Sequence, residues 1–131
     1  MPYTISQSTD GKYILMKVDG QLTRESAFEG VLEAHALGKK LGINRHLVDV
    51  TEARNVESPV AVYGFAYDDM AHLPDIDRYA LAAILASPED HSHDFIETVL
   101  RNAGINVTLF RDRRLAIRHL EEGISSDKSD D

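Results

Sequence analysis

The sequence predicts an α/β fold: an N-terminal β-hairpin, then alternating helices and strands forming a mostly parallel five-stranded sheet with four helices. Three observations predict it. Asp10-Gly11 stands between two short runs rich in β-branched and aromatic residues, the pattern of a tight hairpin, because glycine accepts positive φ. Three later apolar runs, "RHLVDV", "YALAAILA" and "INVTLF", are short enough for strands and alternate with segments of helical spacing. A short apolar run that follows a helix suggests a parallel strand buried on both faces.

The hairpin strands are expected over residues 3–8 and 13–19, with Asp19-Gly20 breaking the second. Thr23 is placed to cap a first helix that carries Phe28, Val31, Leu32, His35 and Leu41 along one side. Lys39 and Lys40 complement the dipole of its last turn, and Gly42 can end it. After "RHLVDV", Ser58-Pro59 opens a second helix, since the hydroxyl caps free amides and proline fits the first turn. Pro74 closes that helix. "YALAAILA" contains helix-favouring alanine and leucine, but its length of eight and its flanking breaks favour a buried strand. "SPEDHSHDFIETVLRNAG" repeats the serine-proline start, with Phe95, Ile96, Val99, Leu100 and Ala103 as its apolar face and Gly104 as its stop. "INVTLF" is the last strand, and "DRRLAIRHLEEG" a last helix that buries Leu115, Ala116 and Leu120. Residues 1–123 then form one domain, and residues 124–131 an acidic flexible tail outside it.

A chain of 131 residues is long enough for one domain with a core and too short for two ordinary ones. The absence of cysteine excludes disulfides, thiol catalysis and thiolate metal sites, and fits a cytoplasmic location. A net charge of −8 argues against a nucleic-acid binder, which needs a basic footprint. The start "MPYTISQSTDG" has no signal-peptide character, and no apolar stretch approaches the roughly 20 residues of a membrane span.

Ser58 has two readings, with Glu57 beside it. It is a helix cap, or a switch phosphorylated where a helix N-terminus would welcome the charge. Glu57 would repel that phosphate, and the second serine-proline pair at Ser87 favours the cap. Asp49 is expected at the carboxyl end of a central strand, where open α/β sheets place ligands. There it would bond to loop amides in the stretch from Thr51 to Arg54. A phospho-aspartate receiver is excluded, because the first strand leads into a hairpin and no lysine follows the last. His91 and His93 form an H-x-H, but two residues apart on a helix are about 200° apart, so no metal site is expected.

On the second helix, Tyr63, Tyr67 and Met70 fall on one stripe, and Val62, Phe65 and Asp69 on another. One sheet cannot cover both, since a packed helix buries an arc of little more than about 100°. The tyrosine stripe is expected inward, leaving Val62 and Phe65, rimmed by Asp69, as an interaction surface.

The order of elements and two motifs resemble STAS domains (sulfate transporters and anti-sigma-factor antagonists), closest to their stand-alone SpoIIAA-like relatives, over residues 3–122. In anti-sigma antagonists an acidic residue and a serine precede the helix after the third strand, and a kinase phosphorylates that serine motif; Glu57-Ser58 is similar. The family continues with a second serine or threonine, commonly the phosphoacceptor, and a glycine; here Pro59 and Val60 stand there instead. "LFRDRRLAIRHLEE" is similar to the family's closing segment, with His119 where an aromatic often stands.

The resemblance implies a non-enzymatic regulatory or protein-binding domain that acts on a protein partner or as a homodimer. The alternative is a carrier or sensor of a small apolar, lipid-like ligand, held in the crevice between helices and strand ends. Neither needs a cofactor. An enzyme needs a nucleophile with a base and an orienting group, and Ser58 has no histidine in its sequence context to serve as base.

Overall fold

Ser8 N donates to Tyr13 O at 2.9 Å and Gly11 takes φ +73°, which folds the chain back on itself at the expected Asp10-Gly11 turn. The strands so joined are β1 (Tyr3–Gln7) and β2 (Ile14–Leu22), paired antiparallel. The computed structural model describes residues 3–70 and 80–129, the last seven by backbone alone. Pro74, the expected end of the second helix, lies outside the described residues.

From β2 the chain runs through α1 (Arg24–Leu41), β3 (Arg45–Asn55), α2 (Pro59–Gly64), β4 (Leu81–Leu85), α3 (Asp94–Asn102), β5 (Val107–Phe110) and α4 (Arg113–Ser129). The sheet order is β1-β2-β3-β4-β5, and every pair after the hairpin is parallel. Among the described residues five strands and four α-helices therefore form the α/β sandwich that the sequence predicts. Val50 and Ile84 pack on one face with Val62, Phe65 and Ile96, under α1, α2 and α3. Leu47, Ala83 and Leu85 pack on the other with Ala116 and Leu120 of α4.

Asp19-Gly20 does not end β2. Lys17 pairs with Asp49 but Asp19 pairs with Glu52, so β3 holds one extra residue at a bulge and pairing then continues to Leu22 and Asn55. The residues expected as loop amides, from Thr51 to Arg54, are strand. α4 is also longer than expected: its backbone stays helical to Ser129, because Gly123 weakens a helix by about 1 kcal/mol without forbidding it. Leu115 is exposed, and Ile117 packs beside Ala116 and Leu120 instead.

Thr23 caps α1 through a capping box with Ser26, and Gly42 ends it at φ +72°. The buried face of α1 is only partly the expected one: Phe28 and Val31 are half-buried against the core, but the fully buried positions lie beside them. Ser26, Ala27, Gly30, Ala34 and Gly38 are buried, while Leu32 and Leu41 are exposed. Small residues let the helix approach closely: a Cβ on Gly30 would lie 2.3 Å from the Met16 methyl, and one on Gly38 would lie 2.5 Å from the Ile43 carbonyl oxygen. Met16 can swing aside, but the Ile43 backbone cannot. Gly38→Ala is therefore expected to lower stability by about 1–3 kcal/mol through overpacking, although alanine is the better helix former by about 1 kcal/mol. Urea midpoints measure it; an unchanged or higher midpoint rules out the close approach.

Candidate functional site

β4 ends opposite Asp49, so residues 50–55 of β3 have no strand on that side. The loop from β4 to α3 supplies side chains in its place. Ser87 Oγ donates to Thr51 O at 2.7 Å, His93 Nε2 lies 3.1 Å from Ala53 O, and Asn55 N donates to Ser92 Oγ at 3.1 Å. Alternate residues of β3 are thus satisfied by three different side chains. Ser87-Pro88 consequently does not start a helix, contrary to the expectation from sequence; α3 begins only at Asp94. His93 is buried beneath it, while His91 is exposed and contacts Asp94 and Arg111. Neither histidine lies within a helix, and no cluster of three or more metal-ligating side chains exists among the described residues.

Asp49 is the last paired residue before the bulge. Its Oδ1 accepts from Thr51 N at 3.0 Å and Thr51 Oγ1 at 2.7 Å, and its Oδ2 accepts from Arg113 at 2.6 Å. Burial pushes the carboxyl up, but the Thr51 amide and hydroxyl and the Arg113 guanidinium outweigh burial and hold it below its usual 3.8. Arg54, expected in the same crevice, is exposed, and its charge acts on Asp90.

Ser58 is exposed and caps α2, accepting from Ala61 N at 3.2 Å. Glu57 accepts from Arg24 N at 2.7 Å, which ties the start of α1 to the start of α2. Arg24 crosses Gly64, where a Cβ would lie 2.3 Å from its guanidinium, and grips Asp69 with two bonds of 2.8 and 3.0 Å. Asp69 is a structural ion-pair partner rather than the rim of a surface.

The expected surface on α2 is inverted. Val62 and Phe65 are buried, and Tyr63 and Tyr67 are exposed. Met70 joins the buried residues through a change of period. The chain runs on from α2 as a π-helix over Phe65–Met70. Bonds of the i→i+5 type bring residues five apart, here Phe65 and Met70, onto one face. A regular helix would have separated them. Val62, Phe65, Ala66 and Met70 then share the buried side. Outside, Tyr63 stacks on Tyr67 with ring centres 6.0 Å apart and meets Phe95 of α3 edge-on at 5.6 Å. These rings stay 50%, 43% and 40% exposed, beside Val60 at 80%. Phe95 thus lies outside the core of α3, where the sequence places it; only Ile96, Val99 and Leu100 are buried there.

Between the sheet and the α1–α3 layer lies a cavity of about 120 Å³. Val48, Val50 and Ile84 line it from the sheet, Ala34 from α1, Phe65 and Met70 from the π-helix. Left dry and empty, such a void costs about 3 kcal/mol at roughly 24 cal/mol per Å³.

With this architecture the chain is an α/β domain of the SpoIIAA-like fold. It is similar over 90% of its length, at 26% identity and a TM-score of 0.51, to 91% of an uncharacterised DUF3478-family protein with a SpoIIAA-like fold from Shewanella loihica PV-4. A looser likeness is to an anti-sigma-factor antagonist STAS domain from Rhodobacter sphaeroides, with 18% identity, 82% of each chain covered and a TM-score of 0.32. At that similarity it carries nothing about function. No protein-family model and no curated protein matches the chain.

Two outcomes test this geometry. Ser58→Ala should lower stability by about 1 kcal/mol and Ser58→Asp should be nearly neutral, because aspartate also caps; an alanine variant as stable as wild type removes the cap. The depressed Asp49 carboxyl binds a proton less readily folded than unfolded, so its contribution is present above 3.8 and lost as pH falls through the lower folded value. Urea midpoints between about pH 6 and pH 2.5 should fall more steeply for wild type than for Asp49→Asn. Equal slopes would show that Asp49 is not the group responsible.

Proposed function

We propose that this chain is a non-enzymatic binding domain that docks a protein partner through the exposed face of α2 and the start of α3. The observation that carries the reading is the set of three mutually packed, half-exposed rings, Tyr63, Tyr67 and Phe95. Aromatic side chains held by one another lose little conformational freedom on binding, and tyrosine is enriched among residues that dominate interface energy. Val60 and Val56 extend the apolar area toward the cap at Ser58. A phosphate on Ser58 would sit at the edge of this face, which makes a regulatory role compatible with it. The net charge of −8 favours a partner of positive charge. Among the described residues no helix is long and apolar enough to cross a membrane.

The test is a Tyr63→Ala, Tyr67→Ala double variant. Proteins captured from extract of the source cells by wild type are identified, and the purified candidate is titrated against both forms. The double variant should melt as wild type does and bind at least about tenfold more weakly, as expected for loss of hot-spot rings. Equal affinity of the two forms would place docking elsewhere. Sedimentation of both forms reads self-association in the same way.

A further inference from the structure

We infer that the cavity under α1, the π-helix and α3 is a binding site for a small uncharged molecule of one-ring size that carries a single hydroxyl or N–H donor, a phenol-like compound. The site is distinct from the docking face, and the inference does not depend on that reading. Size sets the first limit. The cavity has a volume of about 120 Å³; an engineered apolar cavity of about 150 Å³ takes up benzene, and pockets for drug-sized ligands span about 300–1,000 Å³. One ring fits, and an extended acyl chain does not. Charge sets the second limit. Among the described residues no aspartate, glutamate, lysine or arginine lines it, so they offer an ionised guest no partner for its charge.

His93 sets the polarity. It lines the cavity and is only 1% exposed. Its Nε2 lies 3.1 Å from Ala53 O, and a carbonyl only accepts, so Nε2 carries the hydrogen. Asp90 Oδ2, an acceptor 3.4 Å from the same nitrogen, favours the same tautomer. Nδ1 of the neutral ring is then a lone-pair acceptor, and it is buried without a hydrogen-bond partner. A guest with one donor satisfies it, whereas a purely apolar guest leaves it orphaned. His35 and His46, whose rings lie 4.6 Å apart, also line the cavity but are engaged with other groups.

Phenol and toluene, nearly equal in shape and differing by hydroxyl against methyl, are the probes. Each is titrated into full-length protein with ¹⁵N-labelled histidine, following the His93 Nδ1 resonance and the melting temperature. Phenol should bind saturably, at least about tenfold tighter than toluene, because a site with a buried acceptor rejects the analogue that lacks the donor. It should also shift the Nδ1 signal. Ala82→Leu, which fills the cavity from β4, should abolish binding of both without lowering the melting temperature. His93→Leu should erase the preference for phenol; should it fail to fold, the Nδ1 shift in wild type carries the same information. The Tyr63→Ala, Tyr67→Ala variant should bind phenol as wild type does. Absence of saturable binding, toluene binding as well as phenol, or binding that survives Ala82→Leu would each overturn the inference.

Discussion

The unpaired side of β3 beyond Asp49 is the constraint around which the rest of this fold is arranged. A strand edge buried in a domain cannot leave its amides and carbonyls without partners. β4 stops too early to supply them. Ser87, His93 and Ser92 therefore act as a substitute strand made of side chains, bonding in turn to Thr51, Ala53 and Asn55. That duty accounts for the shape of the loop between β4 and α3. It also explains why a histidine is wholly buried at the start of α3. The bulge at residues 50–51 belongs to the same arrangement. Its amide is taken by Asp49 and its carbonyl by Ser87, so neither backbone group is orphaned.

The length of β3 also places the helices beyond it. Because the strand runs on to Asn55, the next turn delivers Glu57 to the first amide of α1 and Ser58 to the first turn of α2. Two helix N-termini are thereby held against each other by one short loop. Arg24 adds a second tie by reaching over Gly64 to Asp69. The π-helix begins next to this clamp, at Phe65. Widening the turn there keeps Phe65 and Met70 against the sheet and leaves Tyr67 outside. The same segment thus lines the cavity on one side and carries a ring of the docking face on the other.

The cavity and the close approach of α1 share a chemical origin, the small residues of that helix. Gly30 and Gly38 bring the backbone down onto β2 and the Ile43 turn. Ala34, with Ala82 across from it on β4, stops at Cβ and leaves space beside them. Larger side chains at these positions would fill the cavity or push the helix away, and the domain would lose either its void or its packing.

Local signals in the chain specify the elements and their order. Asp10-Gly11 for the hairpin, Thr23 and Gly42 as the ends of α1, Ser58-Pro59 as the start of α2 and the short apolar runs as strands all act through adjacent residues, and the structure contains each of them. The side that each helix presents is less legible. Phe28 to Leu41 reads as an apolar stripe, and Phe28 and Val31 do pack on the core, yet the stripe of glycine and alanine beside it lies closest to the sheet, because distance of approach decides there rather than hydrophobicity. Met70 leaves the tyrosine stripe and joins Phe65 because a π turn alters the period, and no residue spacing announces that turn. Ser87 reads as a helix cap identical in kind to Ser58. Only the end of β4, set by pairing between segments far apart in the chain, leaves a carbonyl at Thr51 for it to bond instead. Near neighbours are enough to start and stop a helix or a turn. Which buried backbone groups need partners, and so which side chains are taken up to supply them, depends on segments that meet only when the sheet has formed.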